Sequence, residues 1–285
     1  MQRALAQPCK RPAKMALCSP LVGLIACVAL AFSALPRPIA AQALPQTAPQ
    51  ISAARYIEPT DAYGHGAVAG GEYSALEIIW STGPRQVLRA SGGIFEDTHP
   101  RLADLDGDNR PELVTVVADF TAGARIQVYA QPDATQPHAQ PVVATAPIGQ
   151  RHRWLAIAGI ADLDGDGRVE IAYVDRPHLA RVLRVVRAYP AAGGTGWQLA
   201  EIAQQEGHSN HQLRAPQIEG GLRNCGGLPQ IITADAAWRQ ILATRLGRDG
   251  RLRSRSLGPY EGPASMARAL RCPGPEQDSP SAARP

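Results

Sequence analysis

Lysine is almost absent: Lys10 and Lys14 are the only lysines, and both lie near the start of the chain. Beyond them arginine carries the positive charge, and the formal net charge is only +4. No basic stripe with interleaved aromatics occurs, so nucleic acid is not an expected partner. The chain has no Gly-x-Ser-x-Gly elbow, Walker loop, dinucleotide fingerprint or His-Glu-x-x-His pair, which removes the commonest catalytic signatures. Cysteine is scarce. Cys9, Cys18 and Cys27 lie early, and only Cys225 and Cys272 follow. With no Cys-x-x-Cys pair, dithiol redox chemistry is not expected, and two lone thiols do not make a zinc site. Amphipathic helix patterning is also missing, apart from a turn or two at Ala264 to Leu270. Only one long apolar run exists, from Met15 to Leu35.

That run follows Arg3, Lys10, Arg11 and Lys14 and precedes Ala41-Gln42-Ala43. A basic segment, an apolar segment and an Ala-x-Ala site together read as a secretory signal over 1–43. Two other readings compete. A retained membrane span is opposed by Pro20, Pro36 and Pro38, and by the cleavage site itself. A lipobox at Leu24-Ile25-Ala26-Cys27, leaving a lipidated Cys27, is opposed by the apolar residues that continue to Leu35. Cleavage after Ala43 places the mature chain in the periplasm or outside the cell, as a monomer without a membrane span. It also leaves Cys225 and Cys272 as an even pair, which reads as a disulfide in an exported chain. Such a bond closes a loop of about 47 residues and is worth roughly 3 to 4 kcal/mol through loop-closure entropy.

What the chain does have is a repeated acidic ladder. Asp162-Leu163-Asp164-Gly165-Asp166-Gly167-Arg168-Val169-Glu170 has a near copy at Asp104-Leu105-Asp106-Gly107-Asp108-Asn109-Arg110-Pro111-Glu112. In a tight loop, alternate residues turn their carboxylates toward one centre. Calcium takes six to eight oxygens, and its loops draw them from alternate acids, a backbone carbonyl and a later acid. Asp104, Asp106, Asp108 and Glu112 would supply side chains to the first site and Arg110 its carbonyl. Asp162, Asp164, Asp166 and Glu170 would do so in the second, with the carbonyl of Arg168. Gly165 and Gly167 permit positive φ, and Asn109 is the next best residue for it. The alternative is a plain acidic hairpin turn, since Asp-Gly is also a turn signal. A helix-loop-helix calcium site fits less well, because it needs helical flanks and a Glu further along.

These two stretches resemble the FG-GAP and VCBS repeats of integrin-type β-propellers and of secreted bacterial proteins. The match covers about 99–131 and 155–190, with Glu at the closing position and Asn109 in place of Gly as departures. The resemblance implies an all-β, propeller-like fold in which each acidic loop joins the first two strands of a blade and carries Ca2+. It implies no activity. Reading units from the acid or amide that opens the strand after each loop gives Glu77, Glu112, Glu170 and Gln230, hence about four blades of four antiparallel strands. Strand-like alternation covers 100–104, 112–118, 124–130 and 141–146 in the second unit. It covers 153–162, 169–174, 181–189 and 197–203 in the third. In the fourth it covers 213–218, 230–234, 239–246 and 251–257. The propeller would span 61–258, after an N-terminal segment 44–60 and before a Pro-rich tail 259–285 tied down by the disulfide.

Histidine and arginine gather in the connections. Arg151, His152 and Arg153 precede one unit's first strand, His208, Asn210 and His211 precede another's, and His178 lies between. If the units superpose, these residues meet on one face near the axis and form a ligand face; the plainer reading is that they cap loops. Arginine forks there would suit an anionic glycan or a carboxylate. Two functions follow: a non-catalytic, calcium-stabilised binding or adhesion module for a glycan, an anionic ligand or a protein, or a secreted hydrolase or lyase acting on a polysaccharide. The lack of a recognised nucleophile or acid pair favours the first. Protein purified from its native host should begin near Leu44 on N-terminal sequencing; a chain beginning at Met1 or at lipidated Cys27 would refute the signal reading.

Overall fold

Glu-Leu-Val-Thr-Val-Val-Ala-Asp is apolar on both faces, whereas Leu-Arg-Ser-Arg-Ser sets arginine and serine in a row. The first pattern belongs inside a sheet and the second at an edge, where charge discourages further pairing. The computed structural model describes residues 48–193 and 196–272. The first pattern there is a strand buried along nearly all of its length, and the second is an exposed edge strand. The residues of the expected signal, its three cysteines and the end of the tail lie outside the described range. Among the described residues no helix is long and apolar enough to cross a membrane.

The first sheet contains β1 (Ile51–Pro59), β2 (Glu72–Trp80), β3 (Arg85–Arg89), β4 (Gly93–Glu96), β5 (Arg101–Ala103), β6 (Glu112–Asp119), β7 (Gly123–Ala130) and β8 (Gln140–Ala144). Its order is β1-β2-β4-β6-β7-β8, with β3 beside β2 and β5 beside β6. The second sheet contains β9 (Leu155–Ala161), β10 (Glu170–Asp175), β11 (Val182–Pro190) and β12 (Trp197–Glu206) in a simple meander. The third contains β13 (His208–Ser209), β14 (Gly221–Arg223), β15 (Gln230–Asp235), β16 (Gln240–Leu246) and β17 (Leu252–Pro259), with β13 and β14 sharing one side of β15. One short helix, α1 (Pro263–Ala269), follows. Strand pairing is antiparallel throughout.

A common plan recurs. β6–β7–β8, β10–β11–β12 and β15–β16–β17 are each a meander whose first member is flanked by an earlier strand. That flanking strand is whole in β9 but split into β4 and β5, and into β13 and β14. The all-β class is as the sequence implies, and the strands of the second and third expected units lie within a few residues of the expected positions. One expected strand is corrected. The stretch 213–218 contains no strand, because the last unit's first strand is the split pair β13 and β14. The segment 44–60 holds β1, which pairs with β2. Strand pairing closes no barrel or propeller among the described residues, which form three sheets.

Period-two alternation in β10 decides how the sheets stack. Ile171 and Tyr173 join Val114, Val116, Ile126 and Val128 of the first sheet. Ala172 and Val174, pointing the other way, join Ile231 and Leu246 of the third. The second sheet is therefore packed on both faces. Each fully buried Val, Leu or Ile contributes about 1.5–3 kcal/mol. Contact with the third sheet is close enough that a Cβ on Gly159 would lie 2.3 Å from Leu222 Cγ.

Helix α1 covers the third sheet through Met266, which packs with Ile232, Ala234 and Ile241. Cys225 and Cys272 bracket this region, and their Cα atoms are 5.4 Å apart in a disulfide. The bridged pair fits an oxidising, exported location. Replacing both cysteines by serine should lower unfolding stability by about 4 kcal/mol. A denaturation midpoint matching that of the wild type under non-reducing conditions would show that the bond holds nothing in place.

Candidate functional site

Each acidic loop leaves a flanking strand and enters the opening residue of a buried one: β5 to β6, and β9 to β10. The chain folds tightly there because aspartate side chains take up the backbone. Asp104 accepts from the amides of Gly107 (2.7 Å), Asp108 (3.2 Å) and Asn109 (2.9 Å), and Asp108 accepts from the Arg110 amide at 2.8 Å. Asp162 accepts in the same way from Gly165 (2.7 Å) and Gly167 (3.0 Å), and Asp166 from Arg168 at 2.9 Å. The left-handed residues are Gly107 and Asn109 in the first loop, at φ 80° and 65°. In the second they are Gly165 and Gly167, at 75° and 86°. At the base of each loop a buried glutamate accepts one apolar residue's amide: Glu112 from Leu105 and Glu170 from Leu163, both at 2.8 Å.

Oxygens of Asp104, Asp106 and Asp108 lie within 4.8 Å of one another, as do those of Asp162, Asp164 and Glu170. Every side-chain donor is oxygen, which suits a hard cation. Glu112 stands beside the first trio and Asp166 beside the second, outside those groups. The side chain of Arg110 turns back to pair with Asp108.

The two loops differ in counter-charge. Arg187 on β11 stands opposite Glu170 and is hydrogen-bonded to it, with Asp166 at 3.0 Å and Asp164 at 3.6 Å. A guanidinium thus sits against the second ladder. The corresponding place on β7 is Ala130, beside a cleft of about 290 Å³ that Asp106, Asp108 and Glu112 line. Lacking that cation, Glu112 is pushed up to about 8 by burial, reinforced by Asp106, Asp108 and Asp104. Burial raises Glu170 as well, but the Leu163 amide and Arg187 oppose it.

The outer units keep the buried acceptor and lose the ladder. Glu72, not Glu77, closes the first loop, accepting from the amides of Gly64 (2.9 Å), His65 (2.7 Å) and Gly66 (2.7 Å). Glu77 lies mid-strand and pairs with Arg55 and Arg85. In the last unit Gln230 takes a hydrogen bond of 2.6 Å from Arg223. The signal for Glu72 is the Gly70-Gly71 turn directly before it; nothing in the local pattern marks Arg187.

The chain matches no family model, and no curated protein is similar enough to stand as a relative.

The expected His/Arg face is only partly assembled. His152 stacks on His65 with ring centroids 5.3 Å apart and takes its place beside Tyr63, whose hydroxyl accepts from the His152 amide at 2.7 Å. Arg151 donates to the Tyr63 carbonyl at 3.0 Å, and Arg153 to the His152 carbonyl at 2.9 Å. His65 Nδ1 lies 2.7 Å from Glu96 Oε1, an ion-pair distance. Glu96 is fully buried, which raises its carboxyl. Trp154 donates to the Glu96 carbonyl at 2.7 Å and packs against His178 and His211.

His178 and His211 do meet, at 3.0 Å. Since His211 Nε2 lies 2.9 Å from the Ala215 carbonyl and must donate there, its Nδ1 accepts from His178 Nε2. That leaves the His211 ring neutral; burial lowers its proton affinity and pulls His178 down to about 4. His208, Asn210 and His211 are corrected as ligand-facing residues, being 0–1% exposed. Asn210 donates to the Ala156 carbonyl at 3.1 Å, and His208 Nδ1 meets Thr233 Oγ1 at 2.9 Å.

Burial alone pulls His208 down to about 4 from 6.5. Below 6.5 the unfolded chain takes up a proton that the folded chain refuses until about 4, so this residue's contribution is full above 6.5 and is lost as pH falls through that window. The loss is on the order of 3 kcal/mol. Denaturant titrations from pH 7 to pH 4 should therefore show the wild type losing stability relative to His208→Gln. Parallel pH profiles for the two proteins would refute this.

Proposed function

We propose that this protein is an exported, calcium-stabilised, propeller-like binding module of the FG-GAP/VCBS type, acting without catalysis on a glycan, an anionic ligand or a protein. The observation that carries the reading is the recurrence of one all-oxygen acidic loop at the same place in two successive meanders. Further support comes from the last unit reaching back to the first: the Arg214 amide donates to the Ala67 carbonyl at 2.9 Å, and the Ala69 amide to the Ala215 carbonyl at 3.4 Å. Such bonds are what a ring of blades needs at its closure. Asp104, Asp106 and Asp108 with Glu112 would hold the first ion, and Asp162, Asp164 and Glu170 with Asp166 the second. Arg187 engages three carboxylates of the second ladder and has to withdraw before an ion enters it, whereas Arg110 engages only Asp108 in the first, so the first loop is the tighter site. The ions act by neutralising crowded carboxylates and fixing the loops, so their effect is on stability.

Calcium at a hundred times its dissociation constant adds about 2.7 kcal/mol per site, or roughly 5–10 °C in Tm for a domain of this size. Chelation should lower Tm by that order, with calcium restoring it better than magnesium, whose octahedral demand fits a flexible carboxylate cage poorly. In titration calorimetry Asp106→Ala should remove the tighter equivalent and Asp164→Ala the weaker, while Arg187→Gln should strengthen the weaker. Identical melting in calcium and in chelator, with no heat of binding, would reduce both ladders to acidic turns.

A further inference from the structure

Arg223 ends β14 and is only 5% exposed. Its two terminal nitrogens are used, one on the Ala269 carbonyl at 2.9 Å and one on Gln230 at 2.6 Å, but Nε is buried without a partner. Among the described residues no carboxylate pairs with it. Its charged neighbours are arginines instead, and burial followed by the fields of Arg255 and Arg245 lowers its proton affinity. A buried guanidinium facing like charges is costly unless an anion joins it.

Space for one is present. Arg223, Arg255, Arg268 and Arg271 line a cleft of about 570 Å³ between β17 and α1, whose lining also includes Ser256 and Ser265. Its one acid is Glu261, which lies 3.5 Å from Arg268 at the exposed rim. Arg255 and Arg271 are exposed and have no carboxylate partner among the described residues. Arg253, the next arginine on the same edge strand, is held by Asp249 and is not part of the lining. Charge to guard a sheet edge would explain the exposed arginines of β17, but not a buried one on the far side of the cleft. The volume is within the range of small-molecule sites and exceeds what a bare ion fills.

We propose that this cleft is a ligand site for an oxyanion group, a carboxylate or sulfate, carried on a molecule of sugar size. Arginine forks at its wall and floor meet the two or three oxygens of such a group in parallel pairs. The site is distinct from the acidic loops and from the His65–Glu96 cluster, and its occupancy does not depend on the calcium reading.

The test is calorimetric titration of the full-length protein at low salt, in calcium and again in chelator, with a uronic-acid trisaccharide, inorganic sulfate and a neutral trisaccharide. The acidic sugar should bind, sulfate should compete with it, raised salt should weaken both, and the neutral sugar should give no heat. Arg255→Gln and Arg271→Gln, both exposed, should each weaken binding roughly tenfold. Arg251→Gln, directly before the same strand and outside the cleft, should leave it unchanged. Absence of binding by either anion up to about 10 mM would overturn the proposal. So would wild-type affinity in both cleft variants, or equal binding of the neutral sugar. Binding that survives chelation while no calcium is bound would separate this proposal from the calcium reading.

Discussion

A carboxylate buried at the mouth of a strand organises the fold. Glu72, Glu112 and Glu170 each open the second strand of a unit, and each accepts backbone amides from the loop that leads into it. The interaction satisfies amides that a tight turn withdraws from strand pairing, and it fixes where the loop ends and the strand begins. It also places a charge in the interior, which has to be offset nearby. The units differ in how they do this. Glu72 shares its charge among three amides, Glu170 has Arg187, and Glu112 has neither and stands among aspartates. The last unit avoids the cost by using the neutral amide of Gln230.

Everything beyond these anchors is sheet stacking. Because β10 turns alternate residues to opposite faces, one strand supplies side chains to two interfaces. Changes in its apolar residues are therefore felt by both neighbouring sheets. The loop that Glu170 closes is braced by the third sheet, where Arg248 donates to the Asp164 and Gly165 carbonyls. Loop geometry and sheet packing support each other at that point.

The middle of the fold was legible in the sequence because two local signals coincide there: an acidic turn that fixes register, and an apolar run that fixes burial. Where the turn lost its acids, the register was lost with it. Glu77 was a more strand-like anchor than Glu72, and 213–218 was apolar enough to pass for a strand, although the real one is split around residues 210–220. β1 was missed because most of its residues are exposed and its pattern is mixed. His208 and Asn210 were misplaced for a different reason. Polar residues in a connection look solvent-facing unless their partners are known, and Thr233 and the Ala156 carbonyl lie far along the chain. Arg187 and the buried Glu96 were invisible for the same reason.

The backbone bonds between 67–69 and 214–215 also bear on how the chain reaches this state. The meanders are built from neighbouring hairpins, whose contacts are local and form quickly. Bonds that join the first loop to the last unit can form only after nearly the whole chain has been gathered, and long loops are slow to close. The contacts of this protein thus divide into local hairpin pairings and one long-range joining.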